Sequence, residues 1–348
     1  MSERDVGVMA GSFADWYRAQ HPGVTDVEVA AERVRGAGYS SDVVFMTVTA
    51  SVDGEPRVDE LVVRMRPTGP TLFQEYDLGM QAAVHDAVHA GGVPVPVPTT
   101  YEADERWLGT PFLVMPRVRG HIPGQLAAMD DWVLSLGEAR QATMAASFVE
   151  VLAAIHRTPW QGTALAGVLR GAGATLADEV AWWATLAEAT FAGAVPGKLR
   201  TMLDWCRDHV PDPEPPASVL WGDVRLGNVI FDDAAAPRAV LDWEMASIGP
   251  AELDIAWFTA LETMSEQVAG CRIPGFPEQA ALLAAYEERL GRPLIDLAWF
   301  EAFALCRAAM LSIRTDVLAA ARKGREPAPA DDHFVLCRAL DLVEAIDR

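Results

Sequence analysis

Three polar side chains between positions 223 and 242 have the types and spacing needed to hold a nucleotide phosphate and an acceptor hydroxyl. Asn228 stands five residues after Asp223, and Asp242 follows fourteen residues after Asn228. Phosphoryl transfer needs a carboxylate that takes the proton of the acceptor hydroxyl, and oxygen ligands that hold Mg²⁺ against the phosphates. The spacing therefore predicts transfer of the γ-phosphoryl group of ATP or GTP to a hydroxyl. Asp223 is expected to orient and deprotonate the acceptor, and Asn228 and Asp242 to hold the metal.

The segment between Asn228 and Asp242 predicts how these two side chains meet. Residues 229–231 are apolar and suited to a strand, residues 232–237 are polar, small or proline, and residues 239–241 are apolar again. Two short apolar runs around such a break indicate a hairpin, which returns the chain to its starting point. Asp242 can then share a metal with Asn228, and one Asn with one Asp leaves Mg²⁺ room for phosphate and water oxygens.

These motifs resemble those of the aminoglycoside phosphotransferase and choline kinase-like family. That family usually shows His-Gly-Asp-x-x-x-x-Asn, an Asp-Trp-Glu-like metal motif and Gly-Asp-Pro-x-x-Asp-Leu-Ala, which residues 221–228, 242–244 and 249–256 match in part. Trp221 replaces the usual His, and Pro250 and Ala251 stand where Asp-Pro is common. Neither departure removes a metal ligand or the acceptor-orienting Asp. The pattern looks most like the subgroup related to the kinase-like domain fused to some acyl-CoA dehydrogenases.

The resemblance implies an α+β, bilobal protein-kinase-like fold. A small N-terminal lobe with an antiparallel sheet is expected at residues 1–115, where it would follow a leading helix and bind the nucleotide. A larger, mostly helical lobe at residues 116–348 is expected to hold the catalytic and acceptor-binding residues. The length of 348 residues allows two cores.

A glycine-rich stretch joins two predicted strands, residues 27–34 and 43–49. Gly36, Gly38, Ser40 and Ser41 are the candidates for a phosphate-binding loop, because glycines let backbone N–H groups approach a phosphate closely. An ordinary hairpin turn is the alternative for this stretch.

A further predicted strand, residues 61–66, contains an arginine where kinases place the lysine that contacts the nucleotide phosphates. The resemblance favours Arg64 for that role, and period-two alternation puts Arg66 on the same face. A solvated strand face would also explain both arginines. A helix is predicted at residues 71–90, and Glu75 in its first turns is the expected partner of Arg64, with Asp77 as the alternative.

The family resemblance places the nucleotide base beside the segment that follows the last N-terminal strand. Met115, Arg117 and Val118 are therefore the candidates for contacts with the base. Pro116 lacks an N–H group, so a neighbour must donate the hydrogen bond.

Four further residues of the C-terminal part receive expected roles. Arg225 is expected to stabilise the transferring phosphate, with a surface salt bridge as the alternative. Residues 221–228 are called the catalytic loop below. Asp254 is expected to accept backbone hydrogen bonds under this loop, and His156 is expected to pack near it. Glu244 could assist the metal through water or brace the loop. Helices are predicted at residues 139–158, 280–290, 299–321 and 333–346, from their apolar periodicity.

Composition limits the partners and the location. The formal net charge of −21 argues against nucleic acid and anionic membranes as partners. No apolar run is long enough to span a membrane, and the N-terminal residues do not resemble a signal peptide, so a cytoplasmic enzyme is expected. The four cysteines lie far apart, which predicts neither a zinc site nor disulfides.

The acceptor stays open between two classes: a polycationic antibiotic suits the net charge, and a hydroxylated acyl metabolite suits the subgroup. The alternatives to an enzyme are a nucleotide-binding module with lost or very slow catalysis and, less favoured, a scaffold that keeps only the fold.

Overall fold

A computed structural model describes residues 5–34, 41–69, 71–73 and 76–348. The chain divides into two compact units. The first comprises Met1–Asp86 with Pro96–Val118, and the second comprises Ala87–Val95 with Arg119–Arg348. All residues after Val118 belong to the second unit. The sequence predicted a lobe boundary after Met115.

The first unit is built on a five-stranded antiparallel sheet with strand order β1-β2-β3-β5-β4. Its strands are β1 (Val24–Arg33), β2 (Asp42–Val52), β3 (Glu55–Met65), β4 (Thr100–Glu102) and β5 (Phe112–Pro116). Three of them were predicted in part, but β3 begins well before the predicted residue 61. Asp53 and Gly54 join β2 to β3, and both have positive φ angles, 51° and 85°. This is the backbone of a tight two-residue hairpin turn.

Helix α1 (Val6–Gln20) covers one face of that sheet. The Asp5 side chain accepts hydrogen bonds from the backbone N–H groups of Gly7 and Val8, which explains why the helix begins there. Phe13 and Trp16 on its inner side pack into one core with alternate residues of the strands. Those strand residues include Val44, Met46, Val48, Val63, Met65 and Phe112.

Helix α2 (Leu78–Ala90) starts later than the predicted residue 71. The Asp77 carboxylate accepts a hydrogen bond from the backbone N–H of Met80 at 2.9 Å, so Asp77 caps the helix and fixes its start. Leu78 packs with Leu113 and Met115 in a second small core. Glu75 lies outside the described residues.

The second unit is mostly helical. Its helices after α2 are α3 (Asp131–Ser135), α4 (Glu138–His156), α5 (Leu165–Val168), α6 (Leu176–Thr190), α7 (Gly197–Asp208), α8 (Glu252–Ala269), α9 (Gln279–Leu290), α10 (Leu297–Lys323) and α11 (Phe334–Ile346). Two strand pairs complete it: β6 (Ala217–Leu220) with β9 (Ser247–Pro250), and β7 (Val229–Phe231) with β8 (Pro237–Val240). The helices predicted from apolar periodicity are confirmed as α4, α9, α10 and α11. The predicted α+β class is confirmed as well.

Among the described helices, none combines the length and the apolar character needed to cross a bilayer.

The turn between β2 and β3 gives a first prediction. Gly54→Ala should lower the free energy of unfolding by about 1–2 kcal/mol, because a Cβ atom there would meet no neighbour but the left-handed backbone disfavours an L-residue. Gly11→Ala is the matched control inside α1: its new Cβ is also unopposed, and there it should raise stability by about 0.5–1 kcal/mol. Urea unfolding of both variants measures this. Changes of the same sign would contradict it.

A half-buried carboxyl in α8, that of Glu262, gives a second prediction. Burial raises the pKa of Glu262 from 4.5 to about 7, and the negative charge of Glu266 adds to the rise. The folded chain therefore binds this proton more tightly than the unfolded chain. The stabilising contribution is complete below pH 4.5 and is lost as the pH rises through about 7.

The free energy of unfolding of Glu262→Gln should therefore differ from that of the wild type by an amount that depends on pH. At pH 8 the variant should be more stable than wild type by about 1–3 kcal/mol, and this advantage should vanish below about pH 5. Denaturant unfolding across this range gives the difference curve. In the Glu266→Gln background the advantage conferred by Glu262→Gln should be smaller and should level off at a lower pH, because the folded-state pKa of Glu262 is then raised less. Parallel curves for wild type and Glu262→Gln would exclude the pKa shift.

Candidate active site

The loop that follows β6 holds Asp223 and Asn228 in one hydrogen-bonded arrangement. The Asn228 side-chain amide donates to the Asp223 carboxylate at 2.7 Å and to the Asp223 backbone oxygen at 3.0 Å. A short 3₁₀ turn, Leu226–Asn228, turns the chain so that the five-residue spacing closes on itself. Arg225 also donates from Nε to the Asp223 carboxylate at 3.1 Å. A salt bridge was the alternative role for Arg225. Such a salt bridge is present, and its acidic partner is Asp223.

The predicted hairpin is confirmed as β7 and β8. Val229 pairs with Val240, and the backbone N–H of Leu241 donates to the Asn228 oxygen at 2.8 Å. Asp242, the next residue, consequently lies beside the catalytic loop. Its φ angle is 62°, a left-handed conformation that few non-glycine residues adopt but that Asp tolerates better than most.

Asn228 and Asp242 fit the requirements of a magnesium site. Both amide hydrogen bonds of Asn228 go to Asp223, so the amide nitrogen is engaged and the side-chain oxygen is left as a possible ligand. The negative charge of Asp242 is close enough to raise the pKa of Asp223. One amide oxygen and one carboxylate match the few protein ligands that Mg²⁺ takes when phosphates and waters complete its octahedron.

Gly222 sets the separation between the Asp223 loop and the segment after Asp242. Its φ is 91°, and a Cβ atom on it would lie 2.5 Å from both Cβ and the carbonyl oxygen of Met245. Only glycine permits this approach without a shift of the backbone. The close packing of the two segments therefore depends on this single position.

Asp254, in the first turn of α8, holds the catalytic loop from below. Its carboxylate accepts the backbone N–H of Trp221 at 2.7 Å and that of Gly222 at 3.0 Å. His156 lies 3.1 Å from the same carboxylate through Nε2, and its Nδ1 lies 2.5 Å from the Tyr286 hydroxyl. The predictions for Asp254 and His156 are both confirmed.

Trp221, which stands where the family usually has His, braces the segment 241–245. This segment contains the proposed metal ligand Asp242 and is called the metal segment below. Trp221 is 1% exposed, and its indole N–H donates to the Leu241 oxygen at 2.8 Å. That oxygen belongs to the residue before Asp242. The indole therefore takes a positioning role that links the start of the catalytic loop to the metal segment.

The surroundings of Asp223 make its carboxylate more basic. Burial raises its pKa, and the charge of Asp242 adds to this, whereas Arg225 and the hydrogen bond from Asn228 act in the opposite direction. The indole of Trp257 on α8 lies near the carboxylate and also favours its charged form. The net direction is upward, which suits a group that takes a proton from a hydroxyl.

The structure adds four residues that the sequence did not single out: Trp257, Arg307, Glu179 and Arg170. Arg307 on α10 is 3% exposed, and its guanidinium carbon lies 4.8 Å from the centre of the Trp257 ring. Asp223 is among the negative charges that act on it. Glu179 and Arg170 form an ion pair nearby. The one signal in the sequence was a lone arginine within the apolar run 302–310 of a helix.

The predicted phosphate contacts of the first unit are only partly described. Gly36, Gly38 and Ser40 lie outside the described residues, and Ser41 directly precedes β2. Arg64 is half-buried on β3, opposite Leu113 of β5. Its positive charge helps burial to lower the pKa of His85 on α2 to about 4. Arg64 therefore lies on the sheet face that meets α2. This is the face on which a partner from the start of that helix, Glu75 or Asp77, was expected. Arg66 is exposed and follows the strand.

The three candidates for base contacts differ in what they can offer. Met115 is 4% exposed in the core under α2. The backbone N–H of Arg117 donates to the Glu60 oxygen at 2.9 Å, and its guanidinium carbon lies 3.9 Å from the centre of the Phe45 ring. Both polar parts of Arg117 are therefore engaged within the first unit, which leaves Val118 as the better candidate for a backbone donor.

The model of the phosphotransferase enzyme family matches residues 32–303. Acyl-CoA dehydrogenase family member 11 of Homo sapiens is 28% identical over 232 residues, which cover 65% of this chain and 29% of that protein. Family member 10 of Mus musculus is 28% identical over 199 residues, 57% of this chain and 18% of that protein. The chain spans less than a third of the length of these relatives.

Solved structures share the fold at low identity. A Ralstonia eutropha protein provisionally named an aminoglycoside phosphotransferase superposes with a TM-score of 0.69 at 22% identity, covering 96% of this chain and 95% of that one. Aminoglycoside phosphotransferase APH(4)-Ia, in a ternary complex with AMP-PNP and hygromycin B, gives 0.59 at 15%, with 96% and 98% covered. Choline kinase LicA from Streptococcus pneumoniae gives 0.57 at 12%, with 96% and 99% covered.

Gly222 gives the prediction for this site. Gly222→Ala should lower the free energy of unfolding by about 2–4 kcal/mol, since it combines a positive φ with a clash against the Met245 backbone. Gly227→Ala in the same loop has no positive φ, and its Cβ would approach the Pro123 oxygen only to 3.2 Å. That control should lose about 1 kcal/mol or less. Thermal and denaturant unfolding compare the two, and equal losses would refute the role given to Gly222.

Proposed function

Because the chain belongs to the phosphotransferase enzyme family, we propose that it transfers the γ-phosphoryl group of ATP or GTP to a hydroxyl of a small molecule. The observation that carries this proposal is the joint placement of Asp223, Asn228 and Asp242 by one loop and one hairpin. These are the residues that such a transfer requires: a carboxylate near the acceptor and two oxygen ligands for a metal.

Asp223 takes the acceptor's proton in this proposal. Its carboxylate is held by Asn228 and Arg225, so its orientation is fixed before the acceptor arrives. The acceptor oxygen attacks the γ-phosphorus, the bond to the β-phosphate oxygen breaks, and the nucleoside diphosphate leaves. Arg225, 34% exposed, can turn part of its guanidinium toward the transferring phosphate. Mg²⁺ on Asn228 and Asp242 supplies positive charge that offsets the charge of the phosphates.

The nucleotide contacts are proposed within the first unit. Arg64, a half-buried guanidinium on a strand, suits bidentate contact with phosphate oxygens, and Glu75 is proposed to hold it. Gly36, Gly38, Ser40 and Ser41 are proposed as the loop over the phosphates, and Val118, with Met115 and Arg117 beside it, as the segment that meets the base. In functional terms, residues 1–115 are proposed as the nucleotide lobe and the remainder as the catalytic lobe. We place the enzyme in the cytoplasm.

Kinase chemistry is favoured over a module that only binds nucleotide. Two departures suggest lost catalysis, Trp221 and the arginine in the lysine position. The Trp221 side chain braces the backbone before Asp242, and an arginine can contact phosphate oxygens as a lysine does. Support for small-molecule acceptors comes from the structural relatives, one a choline kinase and another bound to AMP-PNP and hygromycin B.

The experiment follows ADP and GDP release with Mg²⁺ across aminoglycosides, macrolides, amino alcohols and hydroxy acids. Asp223→Ala should lower acceptor-dependent release about a hundredfold to ten-thousandfold while nucleotide binding stays nearly unchanged, because Asp223 contacts the acceptor. Asp242→Ala should weaken Mg²⁺-nucleotide binding, measured by calorimetry, because it removes the one carboxylate ligand.

Asp233→Ala is the matched control. This residue lies in the turn of the same hairpin and its side chain is 98% exposed. Within the described part of the chain its one polar side-chain partner is His121. The Asp233→Ala variant should keep turnover and nucleotide binding at wild-type values. Undiminished release in Asp223→Ala would sink the mechanism, and nucleotide binding without release for any acceptor would favour the binding module.

A further inference from the structure

Arg307 is a buried cation without a carboxylate partner. It is 3% exposed, yet it forms no ion pair within 4.0 Å with any residue that the structure describes. Its Nε has no hydrogen-bond partner, and its one hydrogen bond, from Nη1 to the Leu253 oxygen, is long at 3.4 Å. Buried charges are normally paired and fully hydrogen-bonded, so this guanidinium calls for an explanation.

The nearby carboxylates do not provide that partner, because each is already occupied. Glu179 is bound by Arg170 and by the indole N–H of Trp183 at 3.0 Å. Asp254 accepts from the backbone of the catalytic loop and from His156. Asp223 accepts from Arg225 and Asn228. Their negative charges act on Arg307 from a distance, but none of them satisfies its N–H groups.

Aromatic rings surround the same guanidinium. Its carbon lies 4.8 Å from the ring centre of Trp257, 5.3 Å from Trp183 and 5.8 Å from Phe303. Among these rings, the one nearest the guanidinium is the indole of Trp257 on α8. This indole is also the one that lies near the Asp223 carboxylate. The ring that faces Arg307 thus also lies beside the proposed acceptor-orienting residue, which brings the unsatisfied guanidinium close to the site of transfer.

We propose that Arg307 on α10 binds a carboxylate of the acceptor, so that the substrate is a hydroxylated carboxylic acid. The proposal rests on the proposed phosphotransferase function and selects among its acceptor classes. A guanidinium can donate two parallel hydrogen bonds to the two oxygens of a carboxylate. A polycationic acceptor would instead place its charge beside Arg307, at a repulsive cost.

The test compares matched acceptors on the wild-type enzyme. Straight-chain hydroxy acids, with the hydroxyl at successive carbons, are assayed against the amide of each acid and against the corresponding amino alcohols. At least one acid should be phosphorylated with a kcat/KM about tenfold to a hundredfold above that of its amide, and the amino alcohols should be poorer still. Equal values for acid and amide, or a preference for the amino alcohols, would overturn the proposal.

Variants of Arg307 separate recognition from stability. Arg307→Gln should remove the preference for acid over amide, mainly through KM, and Arg307→Lys should restore part of it because the charge is kept. Arg314→Gln is the control on the same helix: it lies two turns further along α10, is half-buried, and donates to the Thr190 hydroxyl. It should keep the preference. A parallel loss for acid and amide in Arg307→Gln would show a structural role only.

Binding distinguishes this proposal from the failure of the proposed function. Calorimetric titration of the acids and amides into the wild-type protein with Mg²⁺-ADP needs no turnover. Acid binding that Arg307→Gln abolishes would support the carboxylate site even if no phosphoryl transfer were found. If no acid binds better than its amide, or if Arg307→Gln weakens nucleotide binding alone, Arg307 does not bind an acceptor carboxylate.

Discussion

The arrangement of the active site depends on one buried carboxylate, that of Asp254. Helix α8 begins beneath the catalytic loop, and this side chain in its first turn accepts two consecutive backbone N–H groups, those of Trp221 and Gly222. Two adjacent N–H groups can share one carboxylate only if the backbone turns sharply, and the positive φ of Gly222 provides that turn. Asp223 is the next residue, so its position is set by a helix that contains none of the metal ligands. His156 and Tyr286 complete the support, because His156 contacts the Asp254 carboxylate and Tyr286 contacts His156.

The same loop is tied to the metal segment by three independent contacts. The hairpin hydrogen bond from Leu241 to Asn228, the Trp221 indole on the Leu241 oxygen, and the close approach of Gly222 to Met245 all act within a few residues of Asp242. Since residues on both sides of Asp242 are fixed, its left-handed backbone can be maintained despite its cost of about 1 kcal/mol or more. A strained backbone is thus held in place at the residue whose side chain is proposed to meet the metal.

Much of this site could be predicted from the sequence because it is local. Asp223, Asn228 and Asp242 lie within twenty residues, and the apolar runs around them fix the hairpin that joins them. The β2–β3 turn has an equally local signal, because Asp53-Gly54 is a dipeptide typical of two-residue hairpin turns. The start of α2 was misplaced because helical periodicity was extended past Asp77, although an Asp before a helix is a common cap. Arg307 could not be predicted as unpaired, since its isolation depends on which distant carboxylates are already occupied.

The overall acidity of the chain and the local charge around Asp223 point to different acceptors, and we propose that the local charge decides. A net charge of −21 is spread over the whole surface, and salt screens exposed charges beyond about 8–10 Å at physiological ionic strength. Within the site, the nearby carboxylates already have cationic or N–H partners, whereas Arg307 has no acidic one. A buried, unsatisfied guanidinium is screened far less than the surface, so it acts on a bound molecule more strongly than the distant acidic groups do. An acceptor is selected by the few groups that it touches, and these favour an anion.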